Sequence, residues 1–243
     1  MWQLKLFSLR FFAFLSITLI LSPTAYALDE VITPEVSRMI INRIKNKAAL
    51  VFKKYRGIES EQEINSQIFD SETGALRETE RVVYIIKEYY YEKPEIIVLE
   101  YERNGKKVPL SEYKKRDDDP GYQIFDTEGE KRFEIKIIGH KVIEGQLCYQ
   151  IKVTPKEMTV RHFNGYVFVR VDNLNVVFSE GSIAKHPMGL KKMDMKLYFE
   201  PIGEVSALRS SDISLLIHVP FIKPNTRIDI NTKVLKKIPI LNN

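Results

Sequence analysis

Hydrophobic and polar positions follow two different periods along this chain. Near the start, Val36, Ile40, Ile44, Ala48, Val51 and Tyr55 recur at intervals of three and four and make one apolar stripe. Arg38, Asn42, Arg43, Lys45, Asn46, Lys53 and Lys54 lie mostly off it. Thr33-Pro34-Glu35 supplies an N-cap, a proline at the first helical position and an acid in the first turn. Gly57 offers a left-handed stop. The spacing predicts one amphipathic helix over 34–56.

Beyond it the period drops to two. Phe133, Ile135 and Ile137 alternate with Glu134 and Lys136, and Leu147, Tyr149, Ile151 and Val153 repeat the pattern after Glu144-Gly145. β-branched and aromatic runs at 81–86 and 95–101 read as strands, with Asn104-Gly105 as a hairpin turn. Further strands are predicted at 165–171, 175–180, 191–200, 211–219 and 226–234, separated by Pro and Gly turns. Residues 106–130 are mixed and charged, with a turn at Asp119-Pro120-Gly121. Strands at this spacing predict a meandering antiparallel sheet, and the fold class is mainly β with few helices.

Several strands are apolar on one face only. Met193, Met195, Leu197 and Phe199 alternate with charged or polar neighbours. Ile213, Leu215, Ile217 and Val219 share a face, as do Ile228 and Ile230. A sheet with one apolar face must cover it, and the sequence offers a single long helix for the task. A large curved sheet beneath one helix leaves room for an apolar hollow, the usual form of a ligand pocket. Phe133, Ile135, Ile137, Val167, Val169, Val177, Met193, Met195, Leu197, Ile213, Leu215 and Ile217 are candidates for its wall. Ile40, Ile44 and Val51 are candidates for its roof. The same residues would equally serve as a dry core, since interiors are normally filled.

The extreme N-terminus sets the compartment. Lys5 and Arg10 precede an apolar run from Phe11 to Leu21, and Ala25-Tyr26-Ala27 follows Ser22-Pro23-Thr24. This predicts a signal peptide over 1–27, cleaved after Ala27. The run is short for a bilayer span; an uncleaved signal anchor is the alternative. Residue 28 is leucine rather than cysteine, which argues against the lipoprotein route. Residues 28–243 then form one exported domain, expected in the periplasm.

Charge and chemistry narrow the function by exclusion. The formal charge of +5 falls to about +3 once Lys5 and Arg10 are removed. No concentrated basic stripe suits nucleic acid; Lys114-Lys115-Arg116 is followed at once by Asp117-Asp118-Asp119. Cys148 is the only cysteine and sits in an alternating strand, so no disulfide framework exists and a small structural role is expected. The four histidines, His140, His162, His186 and His218, make no metal-binding pair. There is no Gly-x-Ser-x-Gly elbow and no phosphate-binding glycine loop. The aspartate triplet lacks the alternating ligands of a calcium loop. No enzyme, metal or cofactor is expected.

One resemblance adds to this. His140-Lys141-Val142-Ile143-Glu144-Gly145 leads into Cys148-Tyr149-Gln150-Ile151-Lys152-Val153-Thr154-Pro155-Lys156. Gly165-Tyr166-Val167-Phe168-Val169-Arg170-Val171-Asp172 then leads into Asn175-Val176-Val177-Phe178-Ser179-Glu180-Gly181. This order resembles the periplasmic outer-membrane lipoprotein-sorting proteins, the LolA-like group with its LppX-like and RseB-like relatives. Tyr91-Glu92-Lys93-Pro94 is similar to that group's early Lys-Pro corner. The resemblance is strongest over residues 140–235. It implies a curved, half-open antiparallel β-barrel covered by the N-terminal helix, with a hydrophobic cavity. It also implies a non-enzymatic carrier of lipid or lipidated protein, working with an inner- or outer-membrane protein partner. The segment 102–131 departs from the carriers. The RseB-like relatives imply a second possibility, a periplasmic sensor or regulatory interaction protein, for which Tyr89-Tyr90-Tyr91 would be a contact patch. That tyrosine run would equally be ordinary strand packing.

Overall fold

Among the described residues one long helix forms, and it ends three residues before the predicted glycine stop at Gly57. In the computed structural model, which describes residues 32–70, 72–113, 123–126, 128–217 and 224–240 with the backbone alone over 224–234, α1 spans Pro34–Lys54. The Thr33 hydroxyl accepts a hydrogen bond from the Val36 N–H at 3.3 Å, as its capping role requires. Tyr55 is already extended, and the chain passes directly into β1 (Tyr55–Asp70). Gly57 therefore does not stop the helix. It permits close strand contact, because a Cβ there would lie 2.1 Å from the Glu88 carbonyl oxygen. The predicted signal peptide, Asp117-Asp118-Asp119 and His218 fall outside the described residues.

Ten more strands follow: β2 (Leu76–Tyr89), β3 (Glu95–Arg103), β4 (Lys106–Lys107), β5 (Phe133–Ile143), β6 (Gln146–Pro155), β7 (Phe163–Arg170), β8 (Val176–Ile183), β9 (Leu190–Ile202), β10 (Val205–Ile217) and β11 (Pro224–Pro239). Among the described residues of the mixed segment are a 3-10 turn (Leu110–Glu112) and a four-residue helix, α2 (Gly129–Arg132). The strands form one antiparallel sheet in the order β4-β3-β2-β1-β11-β10-β9-β8-β7-β6-β5. β4 and β5 do not pair with each other, so the sheet stays open, as expected for a half-barrel. Pairing of β1 with β11 places the first and last strands side by side in the middle. Asn104-Gly105 and Glu144-Gly145 turn their hairpins with positive φ at both positions, the mirror-image turn that matches strand twist.

Cross-strand partners share a face, so the register traces that face across the sheet. One row runs Ile137–Ile151–Val167–Ser179–Leu197–Ser211–Ile230–Ile64–Val82–Tyr101, from β5 to β3. This is the helix-facing side. At one end Ile40, Ile41 and Ile44 of α1 pack on Phe133, Ile137, Ile151, Val153, Val167 and Val169. At the other, Val82, Tyr84, Ile86 and Tyr101 form a second buried cluster. The opposite face carries a smaller cluster of Cys148, Phe168 and Phe178. Its aromatic neighbourhood is capped by cations, with Lys141 over Phe168 at 5.1 Å and Lys152 over Tyr166 at 4.4 Å. Among the described residues no helix is long and apolar enough to cross a membrane.

Candidate functional site: a hollow beneath the helix

Two positions near the middle of the helix-facing row, on either side of Leu197, are small. Ser179 and Ser211 stand where the ends of the row have Ile, Val and Tyr. In the adjacent row Gly165 pairs with Gly181. A Cβ on Gly165 would sit 2.6 Å from the Phe163 ring, and one on Gly181 3.0 Å from it. The missing side chains let that ring lie over the two backbones. Above them α1 contributes Ala48. A helix rests on bulky neighbours to either side, and these small positions leave space beneath it.

That space is a cavity of about 340 Å³, within the size range of small-molecule sites. Ile44, Val51 and Phe52 roof it, and Val167, Leu197 and Phe199 wall it from the sheet. Leu174, in the turn between β7 and β8, reaches it from a left-handed backbone (φ 57°) that leucine rarely adopts. Polar groups stand at the margin. Lys47 donates to the Asn173 carbonyl at 2.8 Å and to the Asn175 side chain. Burial holds its ammonium below the ordinary lysine range, partly offset by Glu204 and Asp172. Lys54 pairs with Glu204 at 2.8 Å and Lys45 with Glu130, so α1 is tied to three different connections.

A second, wider groove of about 630 Å³ runs between the start of α1 and the edge strand β5. Its floor is Ile32, Ile41, Phe133, Ile135 and Ile137. Its rim is charged, with Arg38, Glu130, Glu134, Lys136 and Lys156. We take the smaller hollow as the candidate site, because an apolar ligand gains most where charged groups are fewest.

The wall and roof residues expected from sequence separate into groups. Ile44, Val51, Val167 and Leu197 meet at the hollow. Ile40 and Val169 are packed into the dry cluster beside it. Phe133, Ile135 and Ile137 line the outer groove instead. Met193, Met195, Ile213 and Leu215 share the helix-facing side, half-buried, further along β9 and β10. Ile217 lies past a register shift at the end of β10. Val177 packs with the Cys148 cluster on the opposite face. A bulge between Phe168 and Val169 advances the phase by one, and Val176 takes the helix-facing place. Phe52, Tyr90, Phe163 and Phe199 also line the hollow and were not anticipated. Phe199 continues the Met193-Met195-Leu197 alternation, so that signal was present.

Other side chains resolve more simply. Cys148 is buried, and burial raises its thiol pKa, which leaves it inert. Tyr89-Tyr90-Tyr91 makes no single outward patch: Tyr90 turns inward against Phe52, while Tyr91 is exposed. His186 is held by Ser182 and the Lys191 carbonyl. Among the described residues no group of three or more His, Cys, Asp or Glu converges as metal ligands would.

What the site and sheet define is an open antiparallel half-barrel roofed by one helix. No family model and no curated protein matches the chain. Solved structures do. A LolA superfamily protein from Nitrosomonas europaea is similar at 9% identity, covering 83% of this chain and 94% of its own, with a TM-score of 0.42. A putative outer membrane lipoprotein-sorting protein domain from Vibrio parahaemolyticus matches at 9% identity, 84% and 95% coverage and a TM-score of 0.43. The MucA/MucB complex of Pseudomonas aeruginosa matches at 9% identity, 80% and 94% coverage and a TM-score of 0.26.

Proposed function

We propose that this protein binds an acyl chain, free or carried on a lipidated polypeptide, in the hollow beneath α1, and shields it in transit between membranes in the periplasm. The observation that carries this reading is the hollow itself: Val51, Phe52, Val167, Leu197 and Phe199 surround about 340 Å³ of space beside the packed cluster of Ile40, Ile41, Ile151 and Val153. A large domain that can fill its interior gains by doing so, since a cavity forfeits packing. Keeping one costs stability, and a ligand restores it. Each methylene removed from water contributes about 0.8 kcal/mol, so a chain needs no covalent step to be held. Entry requires α1 to shift, because it is the roof. Its ties outside the apolar cluster are the exposed or half-buried pairs of Lys45, Lys47 and Lys54, which are weak individually.

Mass spectrometry of organic extracts from natively purified protein tests this reading. Acyl lipid at near-stoichiometric amounts is the expected result. Extracts no richer in lipid than those of an unrelated exported protein would contradict it, and a stoichiometric protein partner with an empty hollow would favour the sensor class instead.

A further inference from the structure

Two connections at one end of the sheet are tied together. Hairpins alternate ends along an antiparallel meander, so the β6–β7 connection (156–162) and the β8–β9 connection (184–189) leave the same end. The Ala184 N–H donates to the His162 carbonyl at 2.7 Å, and the Lys185 N–H to the Thr159 carbonyl at 3.1 Å. A histidine braces each connection from within. His162 Nδ1 lies 2.8 Å from the Glu157 carbonyl oxygen, and His186 sits between the Ser182 hydroxyl and the Lys191 carbonyl. Three apolar side chains stand out from this braced end: Met158 is 59% exposed, Val160 is 47% exposed, and Met188 exposes its whole surface. Single exposed apolar residues are ordinary. Three on two joined loops mark a surface that something else covers.

The charge around these tips says what covers them. Over 156–162 and 184–192 the sequence has five cations, Lys156, Arg161, Lys185, Lys191 and Lys192, against one acid, Glu157. Among the described residues Lys185 and Lys191 have no acidic partner. The turns at the opposite end of the same strands carry acids instead, and each of those is paired: Glu144 with Arg209, Asp172 with Arg170 and Glu204 with Lys54. Uncompensated positive charge is thus gathered at the end that also bears the exposed methionines and valine.

We propose that this end of the sheet docks on an anionic lipid bilayer. Met158, Val160 and Met188 enter the boundary between head groups and acyl chains, while the surrounding lysines and Arg161 meet the lipid phosphates. Long basic side chains suit that depth, because their stems lie along apolar surface and their charges reach water. A side chain that protrudes whole, as Met188 does, fits a fluid surface without a matching recess, and an unbranched thioether adapts to irregular packing. Docking also orients the hollow. Phe163 directly follows the first loop and lines the hollow, so this end of the cavity is the one turned to the membrane. The surface goes beyond the acyl-binding reading and stands or falls separately from it.

Flotation of the natively purified protein with extruded vesicles tests the surface. Vesicles of phosphatidylglycerol mixed with phosphatidylcholine should bind it at least about tenfold better than phosphatidylcholine alone. Salt at about 1 M, where the screening length falls to about 3 Å, should remove most of that preference. Lys185→Gln and Lys191→Gln should each weaken binding about fivefold. Met188→Asp should weaken it by about tenfold or more. Lys53→Gln, exposed at the opposite end in the last turn of α1, should change nothing. These sites are all exposed, so an unchanged urea midpoint shows that each variant folds. Met188→Trp reports the tip itself, since the sequence has no other tryptophan outside the predicted signal peptide; its emission should shift to the blue on the mixed vesicles. Equal binding to both lipids at low salt, or binding that survives both the lysine variants and Met188→Asp, would overturn the surface. No binding to either vesicle would also overturn it and leave the patch to a protein partner. Acyl lipid in extracts of protein that ignores vesicles would keep the acyl-binding reading and sink this one alone.

Discussion

The two halves of the space under α1 are built from the same elements and end differently. Below the first half of the helix, Ile40, Ile41 and Ile44 meet Ile151, Val153 and Val169, which are completely buried. Below the second half, Ala48 and Val51 face Ser179, Leu197 and the Gly165–Gly181 pair, and a hollow remains. Both halves are apolar. Side-chain size distinguishes them: branched residues fill one stretch of the row, and Ser179 with the Gly165–Gly181 pair interrupts the next. The packed half anchors the helix, and the hollow half leaves it something to cover. This division lets a single helix be both part of the core and a movable roof.

The comparison is open to attack from both sides, and the largest effect is expected in the packed half. Ile151→Ala removes a side chain with no exposure at all and should cost about 2–5 kcal/mol, read as a lowered urea midpoint. Gly165→Ala comes next. Its Cβ would stand 2.2 Å from the Glu180 carbonyl oxygen and would push the Phe163 ring into the hollow. A loss of about 1–3 kcal/mol in stability, together with weaker acyl binding, is expected. Ala48→Phe fills the hollow from the roof. It should lower acyl-probe affinity by about tenfold or more while changing stability by only about 1 kcal/mol. Met195→Ala, at a half-buried place outside both clusters, should cost less still, about 0.5 kcal/mol.

Much of this architecture is legible in the sequence, and the exceptions share a cause. α1 and strands β5 to β10 announce themselves because strong apolar alternation survives along them. β1 does not: its inward positions include Ser60, Gln62 and Ser66, and the Tyr84 hydroxyl donates to Gln62 at 2.9 Å inside the sheet. A strand whose buried face is polar carries no period-two signal. The bulge that exchanges Val176 for Val177 is equally invisible, since both residues are valine. Hollow and core could not be told apart from sequence, because the deciding residues are the small ones and lie on four separate elements, α1, β7, β8 and β10.

The most direct test of the central claim is photo-crosslinking with an acyl chain that carries a diazirine near its end, followed by peptide mapping of the adducts. The account predicts adducts on α1 around Ile44 to Phe52 and on strands β7 and β9 around Val167, Leu197 and Phe199. Adducts concentrated on the opposite face, around Phe168, Phe178 and Tyr198, or confined to the exposed edge residues Ile138 and Val142, would contradict it.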